Sequence, residues 1–255
     1  MTMSLTELER SLRALRLSGM SATLQARALA VASHEMDFVE AFSYLVQDEL
    51  DRRHSRLLER RYTLSGLTEP KDLKAFDWTY NPTLPKRPIL ELATLTFVDA
   101  REDALFIGKP GTGKSHVAKA LALLAVNRGY KVLYREAHQL IEDIHEARAL
   151  GEVRKLRAQL TGAQLLVIDD LFLRKLPSGA GDELADVLMS RYEKASTIIT
   201  SNRGLEDWAT LLGDVVVVGP LLDRLMHHGH LLKFDGKSWR LKEAAARVAK
   251  HTTAN

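Results

Sequence analysis

The run Gly108-Lys109-Pro110-Gly111-Thr112-Gly113-Lys114-Ser115 holds what a bound polyphosphate requires. Its glycines let successive backbone N–H groups turn inward as an anion nest, the Lys114 ammonium can reach β and γ phosphates, and the Ser115 hydroxyl is a ligand for Mg²⁺. This is the Walker A pattern, and its setting matters more than the string. An apolar run, Ala104 to Ile107, precedes it, and an amphipathic segment starting at Lys114 follows. Strand, loop and helix in that order place a helix N-terminus, with its dipole, behind the phosphates. Residues Gly108 through His116 are therefore predicted to bind ATP.

A second apolar run, Leu165 to Ile168, ends in Asp169 and Asp170. A buried strand can release carboxylates only at its tip, which in an open α/β sheet is where ligands bind, so Asp169 is expected in the Mg²⁺ shell beside the loop. Asp170 could then orient or deprotonate the attacking water. Thr197 to Thr200 is a third such run, followed by Ser201 and Asn202. Asn202 could hydrogen-bond the water or the γ phosphate, or simply form a turn. Arg224 lies on an otherwise apolar helical segment, Leu221 to Leu225. From the residues alone it is either a solvated or ion-paired helix residue, or a finger that completes a neighbouring subunit's ATP site. The histidines His227, His228 and His230 do not read as a metal site, because adjacent helical residues point about 100° apart and no acidic ligand is evident nearby.

The elements that must hold these groups fall into two patterns. Through residue 66 the chain reads as helical. Ser4-Leu5-Thr6-Glu7 is a capping box with Leu8, Leu12 and Leu15 following at helical spacing, and Gly19 is the expected stop. Ser21 is the expected cap of a second helix to Ala32. Asp37 to Glu40 opens a third, in which Phe38, Phe42, Leu45, Val46, Leu50, Leu57 and Leu58 recur at helical spacing. Residues 67–90 carry Pro70, Pro82, Pro85 and Pro88 and read as a linker. Residues 91–255 alternate short apolar strands with longer helices, the pattern of a parallel sheet covered by helices. The strands are expected at Ala104–Ile107, Lys131–Tyr134, Leu165–Ile168, Thr197–Thr200 and Val215–Val218. The stretch from Lys233 is basic, with a frayed end.

Composition sets limits. The 255 residues include no cysteine, which excludes disulfides and thiolate zinc sites and fits a reducing compartment, and 45% are apolar, enough for a sizeable core. The longest apolar runs, such as Ala120 to Val126, fall far short of the roughly 20 residues needed to span a bilayer. A cytoplasmic protein with no membrane partner is expected.

Several segments together resemble one family: Leu165 to Asp170, Thr200-Ser201-Asn202, Asp223-Arg224-Leu225 with His227-His228-Gly229-His230, and Gly236-Lys237-Ser238-Trp239-Arg240-Leu241-Lys242. So do Asp48 to Arg56 and Asp77-Trp78 nearer the N-terminus. They resemble the IstB family of transposition helper ATPases, relatives of bacterial helicase loaders in the initiator branch of the AAA+ proteins. The resemblance implies an α/β P-loop NTPase of AAA+ type: a parallel sheet flanked by helices, a truncated or absent lid, and a small all-α N-terminal domain for assembly or for binding DNA or a partner. It implies Lys114, Ser115 and Asp169 for nucleotide and Mg²⁺, Asp170 at the catalytic acid position, Asn202 as sensor 1 and Arg224 as arginine finger. AAA+ ATPases usually have Glu where Asp170 stands, and one methylene less shortens the reach to water, which predicts slow hydrolysis of ATP to ADP and phosphate; the resemblance implies that DNA stimulates it. Arg240 could replace a sensor arginine normally carried by the lid, or could face DNA.

Three basic clusters are candidate DNA contacts: Arg52, Arg53, Arg56, Arg60 and Arg61; Arg148, Arg154, Lys155 and Arg157; Lys233, Lys237, Arg240 and Lys242. None is densely aromatic, which favours phosphates of duplex DNA, largely independent of sequence, over stacking on single strands. The expected function is a helper that forms an ATP-dependent homo-oligomer on DNA and recruits and stimulates a transposase. The alternative is a replicative helicase loader with the same chemistry. A small-molecule kinase would need an arginine-bearing lid, and the sequence offers none.

Overall fold

The computed structural model describes residues 3–173, 176, 179–212 and 215–252. The chain divides into two compact units, Met1–Arg60 and Arg61–Asn255. In the first, the capping box forms: Ser4 Oγ accepts from the Glu7 N–H, and the Ser4 N–H donates to Glu7 Oε2 at 2.8 Å, opening α1 (Leu5–Ala14). Gly19 is not the stop of that helix. It lies inside α2 (Ser18–Ala32), where a Cβ would fall 2.6 Å from the Asp48 carbonyl oxygen and the Glu49 Cα of α3 (Phe38–Ser65). Only glycine permits that approach of two helix backbones.

Ser21 is not a cap either; it is buried within α2 and accepts from Arg13 Nε. The first-turn donors of α2 are instead satisfied from α3. Glu49 Oε2 accepts from the Gly19 N–H at 2.6 Å and the Met20 N–H at 3.4 Å, while Arg53 donates to its other oxygen and holds the carboxyl below its ordinary range. Of the apolar positions on α3, Leu45 is buried, but Phe38, Phe42, Leu50 and Leu57 are exposed. The seam between the helices is made of Gly19, Met20, Ala41, Leu45 and Glu49, of which the spacing of large apolar residues marked Leu45 alone.

Residues 67–90, expected as a linker, contribute to the core of the second unit. Leu67, Leu84 and Ile89 are buried in one cluster with Phe106 and Leu121. This segment contains a 3-10 turn (Leu73–Ala75) and runs through α4 (Lys86–Leu92) to α5 (Thr96–Ala100). Then follow β1 (Asp103–Gly108), α6 (Lys114–Arg128), β2 (Val132–Glu136), α7 (Ala137–Ala149), α8 (Val153–Thr161), β3 (Leu165–Leu171), α9 (Ala180–Arg191) and β4 (Ser196–Ser201). After them come α10 (Trp208–Leu212), α11 (Val215–His227), β5 (Gly229–Phe234) and α12 (Trp239–Thr252).

All pairings are parallel, in the order β2-β3-β4-β1-β5. The central strands are buried on both faces and alternate: Phe106, Val167 and Ile198 enter the core under α6, while Leu105, Leu166 and Ile199 enter the one under α9 and α11. The five strands form one parallel sheet flanked by helices. Its order sets the tips of β3, β4 and β1 side by side.

Val215–Val218 is not the fifth strand. That β-branched run starts α11, whose Val218, Leu221 and Leu225 are buried at helical spacing, so packing overrides local preference. The fifth strand is the half-polar edge Gly229–Phe234, of which only Leu232 and Phe234 are buried. The basic stretch contains α12, and its end, expected to be frayed, lies at residues 253–255 outside those described.

Among the described residues no helix is long and apolar enough to cross a membrane.

Away from the strand tips, buried Arg191 donates to the carbonyls of Leu160 and Ala163, each at 2.7 Å, and of Ser196. Nearby Asp103 accepts from the Thr197 N–H at 2.7 Å, and burial pushes its carboxyl up to about 6 against the field of Arg191. The folded protein thus keeps a proton that the unfolded chain releases. Its stabilising effect is complete below about pH 4 and is lost as pH rises through 6. Asp103→Asn should therefore gain on wild type by about 3 kcal/mol between pH 4 and 7 in urea unfolding. A difference that does not change with pH would mean Asp103 is ionised throughout.

Candidate functional site

The loop between β1 and α6 forms the floor of a cleft of about 470 Å³, large enough for a nucleotide. Gly108 (φ 151°) and Gly113 (φ 105°) have backbones that disfavour any side chain. A Cβ at the first would strike the Phe234 carbonyl oxygen at 2.0 Å, and one at the second the Phe76 ring at 2.7 Å. Thr112 closes the loop on itself by donating to the Lys109 carbonyl, and Lys109 points outward to Asp235 at 3.1 Å. Pro110 and Ser115 line the cleft, as does His116, whose ring meets Phe76 edge-on at 5.1 Å.

Lys114 begins α6 and is 4% exposed. Its ammonium donates to the Gly108 carbonyl at 2.7 Å, the Lys109 carbonyl at 2.8 Å and Asn202 Oδ1 at 2.6 Å. Burial lowers its pKa to about 8, opposed by the charges of Asp170 and Asp169. Asn202 follows the tip of β4, so the sheet order brings the sequence's first and third apolar runs together at one hydrogen bond.

Asp169 is buried in β3, next to half-buried Asp170. Its two oxygens accept from the Tyr134 hydroxyl at 2.6 Å and the Thr200 hydroxyl at 2.5 Å, and burial together with the Asp169 charge raises Tyr134, keeping that phenol a donor. Thr200 Oγ1 also accepts from the Asp170 N–H. The pairing of β3 with β4 slips between Ile168 and Leu171, and Asp170 takes a left-handed backbone (φ 55°) that turns it into the cleft. Burial and its neighbour Asp169 raise the Asp170 carboxyl above its ordinary range, which suits a group meant to take up a proton.

The glycine cradle, the buried ammonium and the helix N-terminus fit a nucleotide polyphosphate, and the oxygen donors Ser115 and Asp169 suit a hard cation such as Mg²⁺. Arg224 is not among the residues lining this cleft. It lies against α9 of its own chain, with Nη1 at 3.0 Å from Met189 Sδ and its guanidinium 5.8 Å from the Tyr192 ring centre.

Apart from Arg240, weighed as a substitute sensor or a DNA contact, sequence reading missed the walls of the cleft. Phe76, Tyr80 and Asn81 form one side, Trp239 and Arg240 the other. The two walls are joined. Asn81 Nδ2 donates to the Lys237 carbonyl at 2.9 Å, and the Lys237 N–H donates back to Asn81 Oδ1 at 2.8 Å. The Tyr80 hydroxyl donates to the Ser238 carbonyl, and the Trp239 N–H donates to the Gly111 carbonyl at 2.9 Å. Asp77-Trp78 and Trp239 stood out in the sequence only as family marks.

The basic clusters are redistributed. In the second, Arg148 and Arg157 pair with Glu183, Arg157 also with Asp186, and Lys155 with Glu152. In the third, Lys242 lies over the Trp239 and Tyr80 rings and Arg240 faces the cleft. In the first, Arg53 pairs with Glu49, while Arg52, Arg56 and Arg60 are exposed.

Because phosphate binds the protonated ammonium, nucleotide affinity should be level below pH 7 and fall as pH rises through 8, where binding must take up a proton. It should weaken about tenfold for each further unit. Titration of a fluorescent ATP analogue from about pH 6 to 9.5 reads this. Lys114→Ala, folded by circular dichroism, should not bind; undiminished binding would remove Lys114 from the phosphate site.

The family model for "IstB-like ATP binding protein" matches residues 10–246. The chain is 34% identical over 249 residues to "Insertion sequence IS21 putative ATP-binding protein" of Pseudomonas aeruginosa, covering 97% of this chain and 94% of that one. Among solved structures, AMPPCP-bound DnaA from Aquifex aeolicus superposes with a TM-score of 0.56 at 22% identity, over 66% of this chain and 51% of that one. The DnaC helicase loader superposes with 0.50 at 23% identity, over 69% and 99%. The fold is shared with both, and the sequence along nearly its whole length with the first relative: this chain is an ATP-binding P-loop protein of the AAA+ type and belongs to the IstB-like ATP-binding protein family of insertion sequences.

Proposed function

We propose that this protein is a cytoplasmic ATPase that assembles on duplex DNA in its ATP-bound form and there recruits and stimulates a transposase. The observation that carries the reading is the convergence of Lys114, Asp170, Asn202 and Arg240 on one cleft, with Arg224 lying outside its own chain's cleft. Asn202 Oδ1 yields the Lys114 ammonium to the γ phosphate. The carboxamide so released holds the attacking water, and Asp170 accepts its proton. Ser115 and Asp169 would hold Mg²⁺, which would supply positive charge against the phosphates. Arg240 meets the phosphates from the wall opposite Asn81, in the place of a lid-borne sensor. The shorter reach of Asp170 relative to a glutamate makes turnover slow, so the ATP-bound assembly persists.

Exposed Arg52, Arg56 and Arg60, with Arg154, Lys233 and Lys237, are cations of these clusters left for DNA phosphates. Arg148, Lys155 and Arg157 are already engaged by carboxylates of their own chain. Affinity for duplex DNA should require ATP, vary little with sequence, and fall with salt at a log–log slope near −5 for about six phosphate contacts. Fluorescence anisotropy over a salt series checks it; a slope near zero, or tight preference for one short site, would count against the reading. A helicase loader would share all of this chemistry. Similarity to an insertion-sequence protein along nearly the whole chain favours the transposase, and binding of purified transposase rather than replicative helicase separates the two.

Arg224 is assigned to the ATP site of a neighbouring subunit, which makes the assembly a homo-oligomer with heterologous, repeating contacts. Arg224→Ala and Lys114→Ala proteins should each lack ATPase activity and recover part of it when mixed, because one supplies the intact loop and the other the intact finger. No recovery from mixtures that demonstrably co-assemble would place the action of Arg224 within its own chain.

A further inference from the structure

The helical geometry that argued against a metal at the histidine triplet does not hold for its first two members. The helix α11 ends at His227 and β5 begins at Gly229, so His228 lies at the exit from the helix. The rings of His227 and His228 come to 4.0 Å between centroids. Facing them from the turn between α9 and β4 is Glu193, an acidic partner 34 positions distant in sequence from His227 that spacing could not reveal. One ligand atom from each of Glu193, His227 and His228 lies within 4.8 Å of the others.

We propose that Glu193, His227 and His228 bind a divalent transition-metal ion of the zinc class, and that this ion pins the end of α11 to the α9–β4 turn. Two imidazoles and one carboxylate suit Zn²⁺, Co²⁺, Ni²⁺ or Cu²⁺, and are a poor set for Mg²⁺ or Ca²⁺. Ligand atoms around such an ion stand about 3.3 Å apart. The three side chains are exposed and close the remaining gap by small rotations. The His227 ring is already oriented: its Nδ1 is 2.7 Å from the Tyr192 hydroxyl, which leaves Nε2 for the ion and supplies the outer hydrogen bond that ligating imidazoles usually make.

His228 Nε2 stands 3.8 Å from Glu193 Oε1, a separation that an ion can bridge. Glu193 is held in a left-handed backbone (φ 56°), with Arg101 donating to its carbonyl. The last carbonyls of α11 favour a cation at this end of the helix. Beside the three ligands opens a cleft of about 320 Å³ lined by Asp99, Arg101, Glu102, Glu193 and His228, acidic on balance and roomy enough for the waters that complete the coordination. His230 is not part of the set, since its Nε2 is taken by Glu102 at 2.8 Å. Arg224 stands one turn before His227 on the same helix, so the ion would steady the segment that carries it. The metal site itself does not depend on any nucleotide chemistry.

The test uses the full chain, free of any affinity tag, stripped with EDTA and kept without nucleotide. Titration with Co²⁺ should give visible d–d absorption saturating at one ion per chain, and Zn²⁺ should displace it. His228→Ala and Glu193→Gln should each weaken Co²⁺ binding by about tenfold or more. Zn²⁺ should raise the Tm of wild type and not that of either variant. His138→Ala, which removes an exposed histidine 3.5 Å from Glu136, should leave both readouts unchanged. No saturable binding, or binding that His228→Ala and Glu193→Gln leave intact, would overturn the proposal.

Discussion

A buried ammonium needs acceptors on every proton, and the Lys114 side chain finds its three at the ends of two different strands. Much of the second unit can be understood from that demand. The loop carbonyls of Gly108 and Lys109 can point inward only because glycine permits the turn. Asn202 can meet them only because β4 lies beside β1. Asp169 and Asp170 add the countercharge because β3 lies on the other side of β4. The order of strands is therefore also the order of chemical groups across the cleft. The apolar alternation that buries both sheet faces is what makes that order rigid.

Groups that act through local spacing were legible in the sequence. The loop, the carboxylate pair and the first four strands could be read because a parallel strand buried on both faces is a continuous apolar run, and its polar tip is abrupt. The fifth strand was illegible for the same reason. As an edge it buries only Leu232 and Phe234, and the valines that precede it in the chain advertise a strand that packing turns into a helix. Glycine misled in the first unit, where Gly19 looked like a stop and is a contact. Apart from Arg240, the cleft walls could not be read, because Asn81 and Lys237 meet through the backbone of Lys237, which leaves no trace in residue type.

Charge was the least legible property. The basic residues of the three clusters read alike, yet the fold gives them different work. Glu183 alone engages two arginines of the second cluster, and its carboxyl is held below its ordinary range by Arg157 first and Arg148 after. Those cations fasten α7 and α8 to α9. Lys242 spends its charge on two aromatic faces. A count of Lys and Arg thus overstates the field available to a polyanion, and the exposed remainder on α3 matters more than the total.

The bracket between Asn81 and Lys237 spans 156 residues of chain. Contacts so distant carry a larger loop-closure cost than local ones and form late in folding. During synthesis the glycine loop emerges well before the wall that contains Trp239 and Arg240. A ribosome-bound chain can therefore build most of its sheet while the nucleotide site still lacks one side. The cleft gains its second side only once that wall has been made.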